Sequence, residues 1–349
     1  MGWNRANNAI ENKSIENGVR VAILAYPNSL KSAVYGLEEL FHLASRLYRE
    51  QHNESSGGQR DRQGRGEDAG PDIGTYGEQN TVPLFLPQVL TLDQLSCTEV
   101  FDVVILPPGQ RSDFYLQPPN TLIHWLQQQA QSAVVCSACA GSFILAATPL
   151  LNGKRVTTHW AFESLFKAHY PNVLLDLDQI LINEGSVITA GGMMSWLDLG
   201  FEVVAQYAPS GIVPLMGKYL VVDTGRRSQR FYRRFKPDLH HGDAPIRAAQ
   251  EYLETALPDL PSVKDLAEQV AMGERTFLRR FEKVTQYKPK EYMQRLRIQK
   301  ACERLEESRA PFETIAREVG YEDAGACRKR FIHIMGLTPS EFRQRFSEG

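Results

Sequence analysis

Two arginines spaced for one face of a helix provide the clearest recognition chemistry in this sequence. Arg275 and Arg279 lie four positions apart, and the apolar spacing around Phe277 turns both of them outward. A guanidinium fork matches the two acceptors of guanine in the major groove and also grips phosphate. Thr276 and Arg280 lie beside them, so we predict a helix that contacts DNA through these four side chains. On a single helix, the alternative is a solvated, salt-bridged face.

An internal duplication favours the DNA-contacting alternative. Between residues 262 and 346, the pattern of a short helix, a tight turn and a second helix occurs twice, about 50 positions apart. Two tandem helix-turn-helix patterns are typical of DNA recognition rather than of a solvated surface. The key positions of the first copy, followed by their matches in the second, are Val263, Leu266, Ala267, Val270, Phe281, Val284, Pro289, Glu291 and Tyr292, then Phe312, Ile315, Ala316, Val319, Phe331, Ile334, Pro339, Glu341 and Phe342.

The two copies differ at the residues that would face DNA. In the second copy, the positions matching the two outward arginines are Gly325 and Lys329. The stretch around Gly325 has no side chain that could make a bidentate contact with a base. We therefore predict that the first copy supplies most of the sequence specificity. Arg328, Lys329 and Arg330 would mainly hold the phosphate backbone.

A second kind of chemistry is centred on Cys139. The apolar strand pattern 133–137 runs directly into this cysteine, and a helical pattern follows from Gly141. A sharp strand-to-helix turn of this kind can expose its side chain, and the helix N-terminus can stabilise a thiolate or an oxyanion. His159 could serve as a base. A carboxylate to complete a catalytic set is missing from residues 29–33, so we do not assign catalytic residues.

We predict instead a ligand-binding pocket formed by Cys139, Ala140, His159 and Trp160. Two alternatives remain open at this stage: a cysteine hydrolase that uses Cys139, or a thiol-based redox sensor. Cys136 precedes Cys139 by a Cys-x-x-Cys spacing, but it is expected to be a small buried strand residue. No second Cys or His pair completes a zinc site, and we predict neither a metal nor a cofactor.

Composition and charge place the chain among globular proteins of a reducing compartment. The net charge is −2, but from Gly225 onward there are 25 Lys and Arg against 19 Asp and Glu, so the basic part coincides with the predicted DNA-binding part. Five cysteines without a secreted-framework spacing fit free thiols. With neither a membrane span nor a signal sequence evident, we expect a cytoplasmic protein without a membrane partner.

Strand and helix patterns alternate through the first two thirds of the chain, which predicts a parallel α/β sandwich. The polar residues 1–18 are expected to form a mobile tail ahead of a sensing domain at 19–224. Within that domain, a helix is expected to end near Arg49, and residues 50–80 to form a flexible insertion. A basic connector at 225–245 would lead to the all-α DNA-binding domain at 246–349.

The start of that connector has two possible roles. Residues 226–236 carry six positive charges and three aromatic side chains. Such a run could be an arm that contacts nucleic acid, or a basic surface element that joins the domains. The sequence does not decide between them.

The C-terminal third resembles the AraC/XylS family of transcription regulators. This resemblance implies two helix-turn-helix units joined by one long helix, with their reading helices in successive major grooves of double-stranded DNA. The segments that carry it are Ser262-Val-Lys-Asp-Leu-Ala-Glu268, Arg275-Thr-Phe-Leu-Arg-Arg-Phe281, Ile315-Ala-Arg-Glu-Val-Gly-Tyr-Glu-Asp323 and Gly336-Leu-Thr-Pro-Ser-Glu-Phe342.

The N-terminal part resembles the PfpI-type, class I glutamine amidotransferase-like fold, a flavodoxin-like parallel sandwich. The resemblance rests on the turn at Cys139 together with Thr157-Thr-His159-Trp160 and Ile188-Thr-Ala-Gly-Gly192. Fused ahead of an AraC-type domain, this fold is the layout of GlxA-type regulators. The resemblance therefore implies a non-enzymatic transcription regulator that senses a small effector, often an amine or amino-acid derivative. A homodimer is expected as well, because paired DNA sites raise occupancy.

Overall fold

The computed structural model describes residues 17–56, 82–110, 112–225 and 227–347. The chain divides into two units between Gln229 and Arg230. Of the predicted tail and insertion, residues 1–16 and 57–80 lie outside the described residues. Residues 50–56 do not begin a loop, because helix α1 continues to Ser56. Glu50 and Gln51 are good helix formers, which explains why the helix outlasts its apolar face.

The first unit is built on a six-stranded sheet with the order β2-β1-β3-β4-β8-β7. All neighbouring strands are parallel except β7, which runs antiparallel to β8. A separate parallel pair joins β5 to β6. The strands are β1 Val19–Leu24, β2 Phe85–Leu90, β3 Val103–Leu106, β4 Val134–Ala138, β5 Arg155–Val156, β6 Leu174–Leu175, β7 Leu181–Asn183 and β8 Val187–Ala190.

Helices cover both faces of this sheet and make two hydrophobic cores. Val21 and Ile23 of β1 belong to one core, whereas Ala22 and Leu24 belong to the other. A strand buried on both faces reads as an unbroken apolar run, which is why β1 was recognisable in the sequence. The predicted α/β sandwich is confirmed. Its helices are α1 Lys31–Ser56, α2 Ser112–Leu116, α3 Asn120–Gln129, α4 Gly141–Ala146, α5 Glu163–His169, α6 Trp196–Tyr207 and α7 Ile212–Leu220.

The second unit is helical and contains the duplication. Helices α9 and α10 form the first helix-turn-helix, α12 and α13 form the second, and the 19-residue α11 joins them over about 28 Å. The predicted all-α arrangement with two such units is confirmed. The helices are α8 Ala244–Thr255, α9 Val263–Gln269, α10 Glu274–Thr285, α11 Pro289–Glu307, α12 Phe312–Glu318, α13 Ala324–Met335 and α14 Pro339–Phe346.

The two copies have the same internal geometry. In the first, the rings of Phe281 and Tyr292 meet edge to face with centroids 5.1 Å apart. In the second, Phe331 and Phe342 meet edge to face at 5.5 Å. Each copy has its own hydrophobic core, and α11 contributes its first half to one core and its second half to the other. The repeated sequence pattern therefore corresponds to a repeated fold.

The second unit begins earlier than the predicted domain start at residue 246. Residues from Arg230 onward already belong to it, and Phe231 is buried there. The aromatic residues of the basic run cause this difference, because burying their rings against the helices removes apolar surface from water.

Candidate DNA-binding surface and the turn after β4

The first reading helix, α10, exposes the residues predicted to contact DNA. Phe277 and Phe281 are buried, and Arg275, Thr276 and Arg279 are exposed on the opposite side. Within the described part of the chain, no carboxylate lies within ion-pair distance of either Arg275 or Arg279. Two unpaired guanidiniums on one exposed face can bind acceptors outside the protein.

Arg280 has a different environment from its neighbours. Its Nε lies 3.0 Å from one carboxylate oxygen of Asp243, and its Nη2 lies 2.8 Å from the other. Asp243 also accepts a hydrogen bond from the Ile246 amide and so caps α8. Burial alone would raise the pKa of Asp243, but the hydrogen bonds from Arg280 and Ile246 outweigh it and hold that pKa below its usual value. Arg280 therefore braces α10 against α8, and the structure does not bring it together with the exposed arginines.

Sequence reasoning missed one residue on this surface. Leu278 lies between the two exposed arginines and is 37 % exposed. An apolar side chain can contact the methyl group of thymine, which guanidiniums cannot recognise. The only signal in the sequence is that Leu278 falls out of phase with the buried positions of its helix.

The second reading helix, α13, offers fewer free groups. Gly325 and Lys329 are exposed, and Arg330 is half-buried. The Arg328 guanidinium lies 3.1 Å from Glu313 and above the ring of Phe312. Among the predicted DNA-contacting cations of α13, Lys329 is therefore the most available to bind a phosphate.

A carboxylate caps the N-terminus of α13. Asp323 accepts hydrogen bonds from the amides of Gly325 and Ala326, at 2.8 and 3.0 Å. This cap uses the amide groups that would otherwise attract an anion, and its carboxylate repels phosphate. The unequal chemistry of the two copies thus extends from their side chains to their helix ends.

In the first unit, Cys139 occupies the sharp turn that the sequence predicts. Its backbone is left-handed, with φ of 53°, directly after β4. Its amide donates to the Ala190 carbonyl of the neighbouring strand at 2.8 Å. Gly141 permits the turn, because a Cβ there would lie 2.5 Å from the Leu106 carbonyl oxygen. A left-handed non-glycine residue is strained, and such strain persists where the surroundings fix it.

The turn does not expose the Cys139 thiol, because the side chains packed around it enclose it and keep it protonated. The side chain is 1 % exposed, and burial raises the pKa of Cys139 to about 12, with only the hydrogen bond from Ala140 acting in the other direction. At neutral pH the thiolate is therefore scarce, and the thiolate is the nucleophilic form.

His159 is not arranged as a base for this thiol. Its Nδ1 accepts a hydrogen bond from the Ala161 amide at 3.1 Å, and burial lowers the pKa of the ring. A neutral imidazole whose Nδ1 accepts carries its proton on Nε2, so neither nitrogen has a free lone pair. Trp160 lies against the same ring with centroids 5.2 Å apart. The two rings pack against each other, and His159 has no free lone pair with which to take the thiol proton.

Aromatic side chains that the sequence did not single out surround this region. The Tyr26 hydroxyl donates to the Pro107 carbonyl. Burial raises the pKa of Tyr26, and the neighbouring Cys139 adds to the rise. Tyr115 is likewise next to Cys139 and contacts Phe143 and Phe162, with centroid distances of 5.1 and 5.9 Å. The turn after β4 is therefore lined by rings from several separate segments.

Other chemistry finds little support around the turn. Cys136 packs in the core on the opposite face of the sheet from Cys139, so the two thiols do not form a dithiol pair. Among the described residues, no group of three His, Cys, Asp or Glu side chains is placed to hold a metal ion. In the same part of the chain, no helix has both the length and the apolar character needed to cross a membrane.

Comparison with known proteins finds a similarity in each unit. The family model described as a helix-turn-helix domain matches residues 266–345. The model of the DJ-1/PfpI family matches residues 88–206. Residues 88–206 are thus similar to the DJ-1/PfpI family and residues 266–345 to a helix-turn-helix domain, in agreement with the resemblance of the sequence.

Three curated proteins are similar to parts of this chain. Isonitrile hydratase from Pseudomonas putida is 32 % identical over 108 residues, which are 31 % of this chain and 46 % of that protein. The HTH-type transcriptional regulator CdhR from Pseudomonas aeruginosa is 24 % identical, over 64 % of this chain and 66 % of the regulator. The regulator ArgR from the same species is 23 % identical, over 63 % and 67 %. The chain thus spans under half of the hydratase and about two thirds of each regulator.

Proposed function

We propose that this protein is a sequence-specific DNA-binding transcription regulator. The observation that carries the proposal is the duplicated helix-turn-helix whose first reading helix holds Arg275 and Arg279 exposed and unpaired. The similarity to CdhR and ArgR, both HTH-type transcriptional regulators, supports it over about two thirds of the chain.

In this proposal, the two copies divide the work of DNA binding. Arg275, Thr276 and Arg279 contact base edges in one major groove, and Leu278 contacts a thymine methyl group. Arg280 acts indirectly, because its pair with Asp243 fixes the angle at which α10 is presented. In the second copy, Lys329 is the main phosphate contact, because Arg328 is paired with Glu313 and Arg330 is half-buried, and Gly325 contributes no side chain.

The span of α11 suits two grooves on one side of the duplex. A 19-residue helix is about 28 Å long, close to the helical repeat of roughly 34 Å that separates successive major grooves. A homodimer would double these contacts and raise occupancy on a paired site. We propose both features as parts of the same function.

A comparison of Arg279→Ala with Lys329→Ala tests the division of work. Each variant removes one positive charge from equivalent positions of the repeat. We expect Arg279→Ala to lose about 1–3 kcal/mol of discrimination between the preferred and a mismatched duplex, measured by fluorescence anisotropy. Lys329→Ala should weaken binding to all duplexes alike and make the salt dependence shallower. If Lys329→Ala instead abolished the sequence preference while Arg279→Ala kept it, the assignment would be wrong.

We further propose that the first unit senses a small effector near Cys139. The aromatic lining and the enclosed, protonated thiol suit binding rather than catalysis. An amine or amino-acid derivative would gain cation–π contacts there, alongside Ala140, His159 and Trp160. A Cys139→Ser protein should still bind this effector and still change its DNA affinity, because the thiol supplies a wall and no chemistry.

Catalysis at Cys139 is the second candidate function. It is favoured by the strained turn at that residue and by the similarity to isonitrile hydratase over 108 residues. Turnover of an organic isonitrile that Cys139→Ser abolishes would support this candidate and displace the sensing role. The missing lone pair on His159 leads us to expect no turnover.

A further inference from the structure

The basic and aromatic run at the start of the second unit packs against the helices of that unit. Residues 230–235, here called the strap, alternate between inward and outward side chains. Phe231 is buried, and Arg233 and Phe235 are half-buried, whereas Tyr232 and Arg234 are exposed. Residues 230–232 form one short 3-10 turn, and residues 233–235 continue without regular structure along the surface of the helices.

One end of the strap is attached to the second helix-turn-helix. The Phe231 ring lies 6.3 Å from that of Phe346, and the Arg345 guanidinium lies 4.6 Å from the Phe231 ring centre. Tyr232 meets the same Phe346 ring edge to face at 5.5 Å. The Arg230 guanidinium donates to the carbonyl of His333 in α13. Ring packing and a charge-assisted hydrogen bond therefore hold this end.

The other end of the strap is attached to the first helix-turn-helix. The Phe235 ring meets Tyr287 at 5.6 Å and Tyr292 at 5.1 Å, both edge to face. Tyr292 belongs to the core of the first copy. Four residues of chain span at most about 13 Å, and the ring contacts of Phe231 and Phe235 show that this short segment reaches both copies.

Between these ends, the strap follows α11. The Phe235 amide donates to Gln299 at 2.9 Å, and Arg234 pairs with Glu306 at 3.6 Å. A cavity of about 160 Å³ lies beside the strap and is bounded in part by Cys302. The strap is therefore held at discrete points rather than packed along its whole length.

Of the two roles that the sequence left open, these contacts favour a structural connection over an arm that contacts nucleic acid. Arg230 donates to a carbonyl of α13, the exposed Arg234 pairs with Glu306, and the buried Phe231 is not available to stack on a base. Helix α11 also connects the two copies, since its first half belongs to one core and its second half to the other, and the Pro258 carbonyl lies against Gly320 of the turn between α12 and α13. A single helix can bend between two cores, whereas the strap adds a connection along the side of α11 that bears Gln299 and Glu306.

We propose that the strap sets the separation of the two helix-turn-helix units, and thereby the base-pair spacing between the two DNA segments that the protein accepts. This inference rests on the proposed function. Inserting one base pair displaces a segment by about 3.4 Å and rotates it, which a rigid pair of reading helices cannot follow. Phe231 and Phe235 are thus positioning residues that select spacing without touching a base.

The test measures spacing tolerance rather than affinity alone. Full-length protein first selects its preferred duplex from a random-sequence pool. Anisotropy titrations then compare that duplex with versions that carry one or two extra base pairs between the two DNA segments contacted by the two helix-turn-helix units. For the unaltered protein we expect each insertion to weaken binding about tenfold or more. Phe235→Ala, or two glycines inserted between Tyr232 and Arg233, should reduce that penalty to about threefold or less.

Conservative and charge controls complete the experiment. Phe235→Tyr should restore the penalty of the unaltered protein, because it restores the ring contacts. Lys236→Ala removes an exposed cation next to the strap and leaves the anchors intact, so the spacing penalty should stay unchanged. The glycine insertion removes no side chain, so it remains informative if Phe235→Ala fails to fold.

Each outcome is decisive. If the strap variants keep the full spacing penalty, the strap does not set the separation and the inference is overturned. If Lys236→Ala and the strap variants instead lower affinity on all spacings equally and flatten the salt dependence, the run is a nucleic-acid arm. If the unaltered protein selects no duplex at all, the proposed function fails before the strap is tested.

Discussion

Replacing Gly320 by alanine should unfold the second helix-turn-helix more readily than any equivalent change in the first. Gly320 has φ of 86° in the turn between α12 and α13, and Ala271 holds the matching position between α9 and α10 with φ of 53°. A left-handed backbone costs an alanine about 1–2 kcal/mol. At Gly320 a new Cβ would also overlap the Pro258 carbonyl oxygen and lie 3.2 Å from Arg297 Nε.

These effects give the expected magnitude. Overpacking against backbone adds about 1–3 kcal/mol to the strain, and the stiffer unfolded chain returns about 0.4–1 kcal/mol. Gly320→Ala should therefore destabilise the second copy by about 2–4 kcal/mol. Ala271→Gly relieves strain and loses the same unfolded-state term, so it should stabilise the first copy by about 0.5–1 kcal/mol.

Hydrogen exchange measured by mass spectrometry can resolve the two copies. Because each copy has its own core, peptides from α12 and α13 report one and peptides from α9 and α10 report the other. Gly320→Ala should reduce protection in the second copy by about 30-fold to 1000-fold, and Ala271→Gly should slightly increase it in the first. Similar small effects for both variants would refute the reasoning, since the two turns would then not differ as their geometry indicates.

Two further predictions concern the ionisable groups. Asp243→Asn should lower the free energy of unfolding by about 2 kcal/mol at neutral pH, because it weakens both the cap of α8 and the pair with Arg280. Folding lowers the pKa of Asp243, so this cost should shrink when urea denaturation is repeated at pH values falling below about 4. A cost that grows in acid would contradict the prediction. At pH 8, iodoacetamide should label the exposed Cys97 and leave Cys139 unlabelled, because a pKa of about 12 leaves roughly one Cys139 thiol in ten thousand as thiolate. Peptide mass spectrometry measures the two labelling rates. Equal rates would instead support the redox sensor.

The repeated fold could be predicted from the sequence because its signals are local. Helix spacing, the prolines at Pro289 and Pro339, and the apolar matches each depend on neighbouring residues, so they survive without knowledge of the fold. The turn at Cys139 was predictable for the same reason, because an apolar strand runs straight into a glycine-containing helix start.

Contacts between distant segments were not predictable. Arg280 looked like its exposed neighbours because its partner, Asp243, lies 37 positions earlier. The protonated state of Cys139 depends on its burial, and the neighbouring Tyr26 and Tyr115 reach the turn only through the packing of the first unit. Pair geometry and burial arise from tertiary structure, which periodicity does not encode.

The basic run shows the same limit at a domain boundary. Its charges and rings were equally compatible with an arm and with a connector. In the structure, Phe231 and Phe235 contact rings from opposite copies of the repeat, and these contacts favour the connector.

Selection of duplexes from a random pool, carried out in parallel with the full-length protein and with its Arg275→Ala/Arg279→Ala double variant, tests the central claim most directly. We expect the unaltered protein to enrich one sequence pattern and the variant, folded by circular dichroism, to bind DNA without enriching it. Enrichment of the same pattern by both proteins, or of none by the unaltered protein, would contradict the claim that these exposed guanidiniums recognise DNA.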